Sequence, residues 1–167
     1  MEKNLKTRWF ATLCMLFAIA SLFGQSEEGG LDSLYQRLQN ENYRIDINRV
    51  MSATIPNTER FNPSGFVEVK DSIAKGELPF FGKAYQIGYG DRSGISFDGP
   101  VEKIKIEKKK KRVEVRFDVK SGAENYRLFI QFYPGGNASI RLTSNQREGS
   151  SYEGSYKFLT MGGGSSD

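Results

Sequence analysis

Three carboxylates stand near the middle of the chain, Glu77, Asp91 and Asp98. Two carboxylates at a suitable separation can hydrolyse a glycosidic bond, one acting as acid and the other as base or nucleophile. A plainer account exists for two of them. Asp91 lies in Gly90-Asp91-Arg92-Ser93-Gly94 and Asp98 in Asp98-Gly99-Pro100, and in such turns an Asp side chain caps its own backbone. Other chemistry is scarce. The chain has no histidine, and its one cysteine, Cys14, sits inside an N-terminal apolar run. Past that run there is no imidazole base, no thiol nucleophile and no ordinary zinc ligand set. The reading is therefore non-enzymatic, with no catalytic residue, metal or cofactor assigned.

Two residue groups suggest binding instead. Phe80, Phe81, Tyr85, Tyr89 and Phe97 crowd the stretch Glu77 to Gly99 and are candidate contacts for a small apolar or amphipathic ligand. Lys108, Lys109, Lys110, Lys111 and Arg112 form a basic run. Between Val101 and Lys120 there are nine Lys+Arg against four Asp+Glu. Such a run suits an anionic lipid surface or serves as a solvated hairpin tip whose lysines guard a strand edge. Its neighbours are aliphatic, not an interleaved aromatic platform, which disfavours nucleic acid. A small ligand or an envelope protein is the expected partner. Gly88, Gly90 and Gly94 do not make a phosphate cradle, because strand patterns flank them where a helix would have to follow.

The elements that must position these groups follow from periodicity. Residues 1–24 read as a signal peptide: Lys3, Lys6 and Arg8 precede the uncharged apolar run Trp9 to Phe23, which is short for a membrane span. Cleavage is expected after Ala18-Ile19-Ala20 or at Gly24, leaving no transmembrane span and directing the protein to the periplasm, to the outer membrane or out of the cell. Three of the 24 basic and one of the 20 acidic residues go with it, leaving 21 against 19, a net +2. The high isoelectric point is therefore no argument for an acidic partner.

Residues 25–30 read as a polar lead. Leu31, Leu34, Tyr35 and Leu38 keep the spacing of one short amphipathic helix. Tyr43, Ile45 and Ile47 begin a strand, and an added residue near Arg49-Val50, a β-bulge, is expected before Met51, Ala53 and Ile55. Phe66 to Lys70 is a strand and Asp71 to Gly76 a link. Glu77 to Gly99 is read as an aromatic hairpin ending at Pro100. Val101–Glu107, Arg112–Val119, Tyr126–Tyr133, Ala138–Thr143 and Ser151–Phe158 alternate as further strands. The expected fold is mainly β. It is a single domain over residues 31–160, built of about nine antiparallel strands in a barrel or two-sheet sandwich, with a flexible tail at 161–167.

The run Leu78-Pro79-Phe80-Phe81-Gly82-Lys83-Ala84-Tyr85, with Ile95-x-Phe97-x-Gly99, resembles the signature of the domain-of-unknown-function 4251 family. The resemblance extends from about Leu31 to Tyr156 and takes in Asn145-Gln146-Arg147 and Tyr152-Glu153-Gly154. It implies an exported Gram-negative bacterial protein with that family's fold, and carries over no catalytic residue. Asp32-Ser33-Leu34 and Asp71-Ser72-Ile73 also resemble an O-glycosylation pattern of the same phylum.

Overall fold

A computed structural model describes residues 25–52, 60–61, 64–80 and 94–159. Helix α1 spans Gln25–Asn40. Nine strands follow: β1 Asn42–Ser52, β2 Arg60–Phe61, β3 Phe66–Lys70, β4 Ile73–Pro79, β5 Gly94–Lys108, β6 Val113–Ser121, β7 Glu124–Phe132, β8 Asn137–Ser144 and β9 Ser150–Leu159. Every pairing is antiparallel: β1 pairs with β3, each strand from β3 to β8 pairs with the next, and β9 returns to β1 from Asn42↔Leu159 to Ser52↔Ser150. That pairing chooses the barrel over the sandwich. Eight strands close the ring, and β2 adds only to the far end of β1, at Arg49 and Val50.

An eight-stranded barrel is just wide enough to be filled by side chains. Alternate residues point inward and fill it: Tyr43, Ile45, Phe97, Phe117, Leu128, Ile130, Phe132, Ile140, Leu142 and Tyr152 are all no more than 2% exposed. Burial of each such side chain contributes about 1.5–3 kcal/mol. Leu31, Leu34 and Leu38 of α1 are buried with this core, and the helix packs against β5 and β6 at one end of the barrel. An aromatic chain holds that end: Tyr43 meets Phe132 edge-on, Phe132 meets Tyr156, Tyr156 meets Phe158, and Arg37 of the helix lies 3.8 Å over the Phe158 ring.

Within this core the Tyr43 hydroxyl is buried and has no hydrogen-bond partner among the described residues. Burial raises its pKa far above the ordinary phenol value. An orphaned buried hydroxyl costs free energy that a hydrogen would not. Tyr43→Phe is therefore expected to stabilise the fold by about 1 kcal/mol, read as a higher denaturation midpoint at unchanged m value. A lower midpoint would mean that the hydroxyl has a partner.

Several expectations are corrected. The helix is longer than its apolar stripe, so residues 25–30 are its first turns and not a lead outside it. The segment read as a link is strand: Asp71 and Ser72, at φ 50° and 65°, form a two-residue turn, and β4 starts at Ile73. Left-handed values at both central residues match the right-handed twist of the flanking strands. β4 pairs with β5 from Ile73↔Pro100 to Pro79↔Gly94. Residues 81–93 of the expected aromatic hairpin lie outside the described residues. Pro100 does not end its strand: β5 continues to Lys108 past a bulge at Lys103. The bulge in β1 falls at Asn48, between Ile47 and Arg49, and moves the buried series to Val50 instead of Met51.

Candidate functional site

At the end of the barrel away from α1, the inward alternation of β7 runs Phe132, Ile130, Leu128, Tyr126 and then Glu124. A carboxylate thus occupies a position in phase with the core and is 8% exposed. Such a charge must be paired. Its partner is Arg147, whose Nε lies 3.2 and 3.3 Å from the two Glu124 oxygens. The side chains are 9% and 10% exposed. Arg147 Nη1 also donates to the Gly94 carbonyl at the start of β5 (3.1 Å), and the guanidinium stands 5.5 Å from the centre of the Phe80 ring.

The loop carrying Arg147 is wired to the strands beside it. Ser144 Oγ donates to Glu124 Oε1 at 2.5 Å and accepts from the backbone N–H groups of Gln146 (2.9 Å) and Arg147 (3.2 Å). Gln146 Nε2 donates to the Ala123 carbonyl, and Asn145 Oδ1 accepts from the Asn125 N–H. Tyr152 donates its hydroxyl to the Pro79 carbonyl at 3.0 Å, and burial pushes its pKa up to about 12. Above this network lies an open cleft of about 660 Å³. Leu78, Pro79, Ile95 and Tyr126 give it an apolar side; Ser96, Ser121, Glu124, Gln146 and Arg147 give it polar groups. The arrangement can hold an amphipathic molecule by shape, with hydrogen-bonding groups already fixed.

The aromatic candidates divide. Phe97 is 1% exposed, lies flat over Gly76 of the paired strand and tilts against Tyr126 at 5.4 Å. A Cβ on Gly76 would fall 2.3 Å from the Phe97 ring, so the two residues act as one packing unit. Phe80 is 8% exposed and packs under Arg147. Both belong to the core, with Phe80 at the cleft end. Phe81, Tyr85 and Tyr89 lie outside the described residues, as does Asp91. Glu77 and Asp98 are exposed on the adjacent strands β4 and β5. Glu77 lines the cleft, whereas Asp98 lies 3.9 Å from Lys75 on the outer face.

The basic run forms the β5–β6 turn, and most of its charge is locally matched. Lys108 meets Asp32 of α1 at 2.5 Å, Lys109 meets Glu107 at 2.6 Å, and Arg112 meets the buried Glu114 at 2.7 Å. Lys105 also contacts Glu107. Hydrogen bonds from these two lysines hold the Glu107 carboxyl well down, at about 2. Lys110 and Lys111 are exposed at the tip. Ser72 is exposed at its turn, where Asn42 Oδ1 accepts from the Asp71 N–H; Ser33 is exposed on α1.

Sequence reasoning missed Glu124, Ser144 and Tyr152 as a unit with Arg147. The signal was present in β7, since Glu124 continues an otherwise apolar alternation.

Comparison with known proteins agrees with this architecture. A search of curated proteins finds no match. A crystal structure of a DUF4251 family protein from Bacteroides eggerthii superposes with a TM-score of 0.59 at 19% identity, covering 78% of this chain and 89% of that one. At that identity the likeness concerns the fold. The sequence profile described as a domain of unknown function, DUF4251, matches residues 26–156. That span takes in the helix, the barrel and the Arg147 loop, so the chain belongs to the DUF4251 family.

Proposed function

We propose that this barrel is a non-catalytic binding module of an exported protein, taking an amphipathic ligand or a segment of a partner protein in the cleft at the end away from α1. The observation that carries the reading is the contrast between a filled interior and a cleft that joins an apolar wall to the fixed Glu124–Arg147 pair. Phe97, Phe117, Leu128 and Tyr152 leave the core to side chains. The cleft falls in the volume range of small-molecule sites and faces an apolar wall with fixed polar groups. Export is supported by the residues 1–24 pattern. Hydrolysis by carboxylates is the second reading, because Glu77 and Glu124 line the same cleft. Against it, Glu124 is committed to Arg147 and Ser144.

Native mass spectrometry of the processed protein, isolated gently from its own host, tests the binding reading. The expected result is an added mass that vanishes on denaturation. Ser121→Trp, which crowds the cleft from its rim, should remove the added mass while the melting temperature stays the same. A bare polypeptide mass at every stage, with no co-isolating protein, would overturn the reading.

A further inference from the structure

The edge of β5 beyond Pro100 is an interaction surface of a different kind. Pairing between β4 and β5 stops at Ile73↔Pro100, and the last bond on that side runs from the Val101 N–H to the Ser72 carbonyl (2.9 Å). β5 continues to Lys108 with β6 as its only strand neighbour there among the described residues, while α1 packs against β5 and meets Lys108 through Asp32. Among the described residues no strand takes the vacated side. Residues 102–105 are exposed, and Ile104, at 54%, is one of two large hydrophobic side chains left in solvent among the described residues. The bulge at Lys103, where φ is 53°, falls beside it. A strand with unpaired N–H and C=O groups and an exposed isoleucine is a template for another strand.

The charges on this edge select the partner. The stretch reads Glu102-Lys103-Ile104-Lys105-Ile106-Glu107-Lys108. Laid antiparallel on a second copy of itself, with a two-fold axis at Lys105, it sets Glu102 opposite Lys108, Lys103 opposite Glu107 and Ile104 opposite Ile106. Each of these matches is repeated by the symmetry. Only Lys105 faces its own kind, and Glu107 of the same strand contacts that lysine. A slip of one residue sets Glu102 against Glu107 or Lys103 against Lys108. A slip of two sets Lys103 against Lys105 or Lys109. Lysines on an edge ordinarily repel any incoming sheet. Within the chain Lys103 meets Asp118, Glu107 meets Lys105 and Lys109, and Lys108 meets Asp32, all with the lysines exposed. The alternation with glutamates lets one register of one partner add an opposite charge to each of Lys103, Glu107 and Lys108, with no like-charge clash beyond Lys105. We propose that the β5 edge pairs antiparallel with the same stretch of a second copy of this chain, forming a two-fold dimer whose sheet is continuous through β5.

Sedimentation of the purified full protein over a range of concentrations tests this. The expected result is a reversible monomer–dimer equilibrium that weakens with added salt, because ion pairs contribute to it. Glu107→Lys should raise the dissociation constant about tenfold or more, since it sets lysine against lysine twice in the dimer. The charge-swapped Lys103→Glu/Glu107→Lys protein should dimerise again. So should an equimolar mixture of the two single variants, in which each chain supplies what the other lacks. Melting curves on every variant confirm that the barrel is intact. A monomer at all concentrations would overturn the proposal, as would a dimer indifferent to charge reversal or a swapped variant that fails to recover.

Discussion

Arg147→Met is expected to cost about 3–5 kcal/mol of folding stability, the range for removing one partner of a buried ion pair. The reason is what remains. Glu124 keeps its place in the inward series of β7, 8% exposed, and loses the guanidinium that offset its desolvation. Ser144 alone would face the carboxylate, and the tie from Arg147 to the Gly94 carbonyl would be gone. The companion variant decides the cause. Glu124→Met combined with Arg147→Met removes both charges and keeps the volume apolar, so most of the loss should be recovered. Equilibrium unfolding in denaturant measures all three proteins. A single-variant loss under about 1 kcal/mol would mean that water screens the pair as it does on a surface.

Gly154→Ala is expected to cost about 1–3 kcal/mol through one added carbon. A Cβ at Gly154 would stand 2.3 Å from the Asp46 carbonyl oxygen and 3.2 Å from the Ile45 side chain. The obstacle is main chain of β1, which cannot rotate aside. Gly154 lies between Ile47 of β1 and Ala138 of β8, next to the Asn48 bulge, so the strands would have to part where the ring closes. Val at the same position should do more damage. Gly122, in a turn at φ 61° with nothing within 4 Å, is the control, and Gly122→Asn should be mild because asparagine tolerates that conformation. Thermal unfolding of the three variants separates crowding from loss of backbone freedom. Equal melting of Gly154→Ala and the parent protein would sink the idea that β1 and β9 meet too closely for a side chain.

The same glycine shows what a sequence of this kind displays. Period-2 alternation marked Val113 to Val119, Tyr126 to Phe132 and Ala138 to Thr143, because each strand buries one face and the pleat repeats every second residue. It could not mark the closure, which joins β1 to β9 across nearly the whole domain and leaves no local period. Gly154 records that contact, but as one glycine among 18. The stretch Glu77 to Gly99 misled because its glycines and aspartates read as one compact hairpin. In the barrel, β4 enters that stretch from Ile73 and pairs with β5 on the far side of residues 80–93. Phe97 and Gly99 look like ligand-binding and turn residues in a string, yet they are the inward series of a wall strand, with Gly99 against the Lys120 carbonyl. The ion pair was half legible: Asn145-Gln146-Arg147 carried part of the resemblance, while its carboxylate partner sits 23 residues away at the head of another strand.

The β1–β9 pairing also governs when the molecule can exist. The first strand of the ring finds its partner in the last, so the barrel cannot form until Leu159 has emerged and met Asn42. Contacts of that range are paid for in loop entropy before they return anything, which places such folds among the slow ones. Neighbouring strands from β3 to β8 can pair before that, but the ring stays open until the final strand arrives, and a truncation that removes β9 leaves two raw edges instead of a smaller barrel.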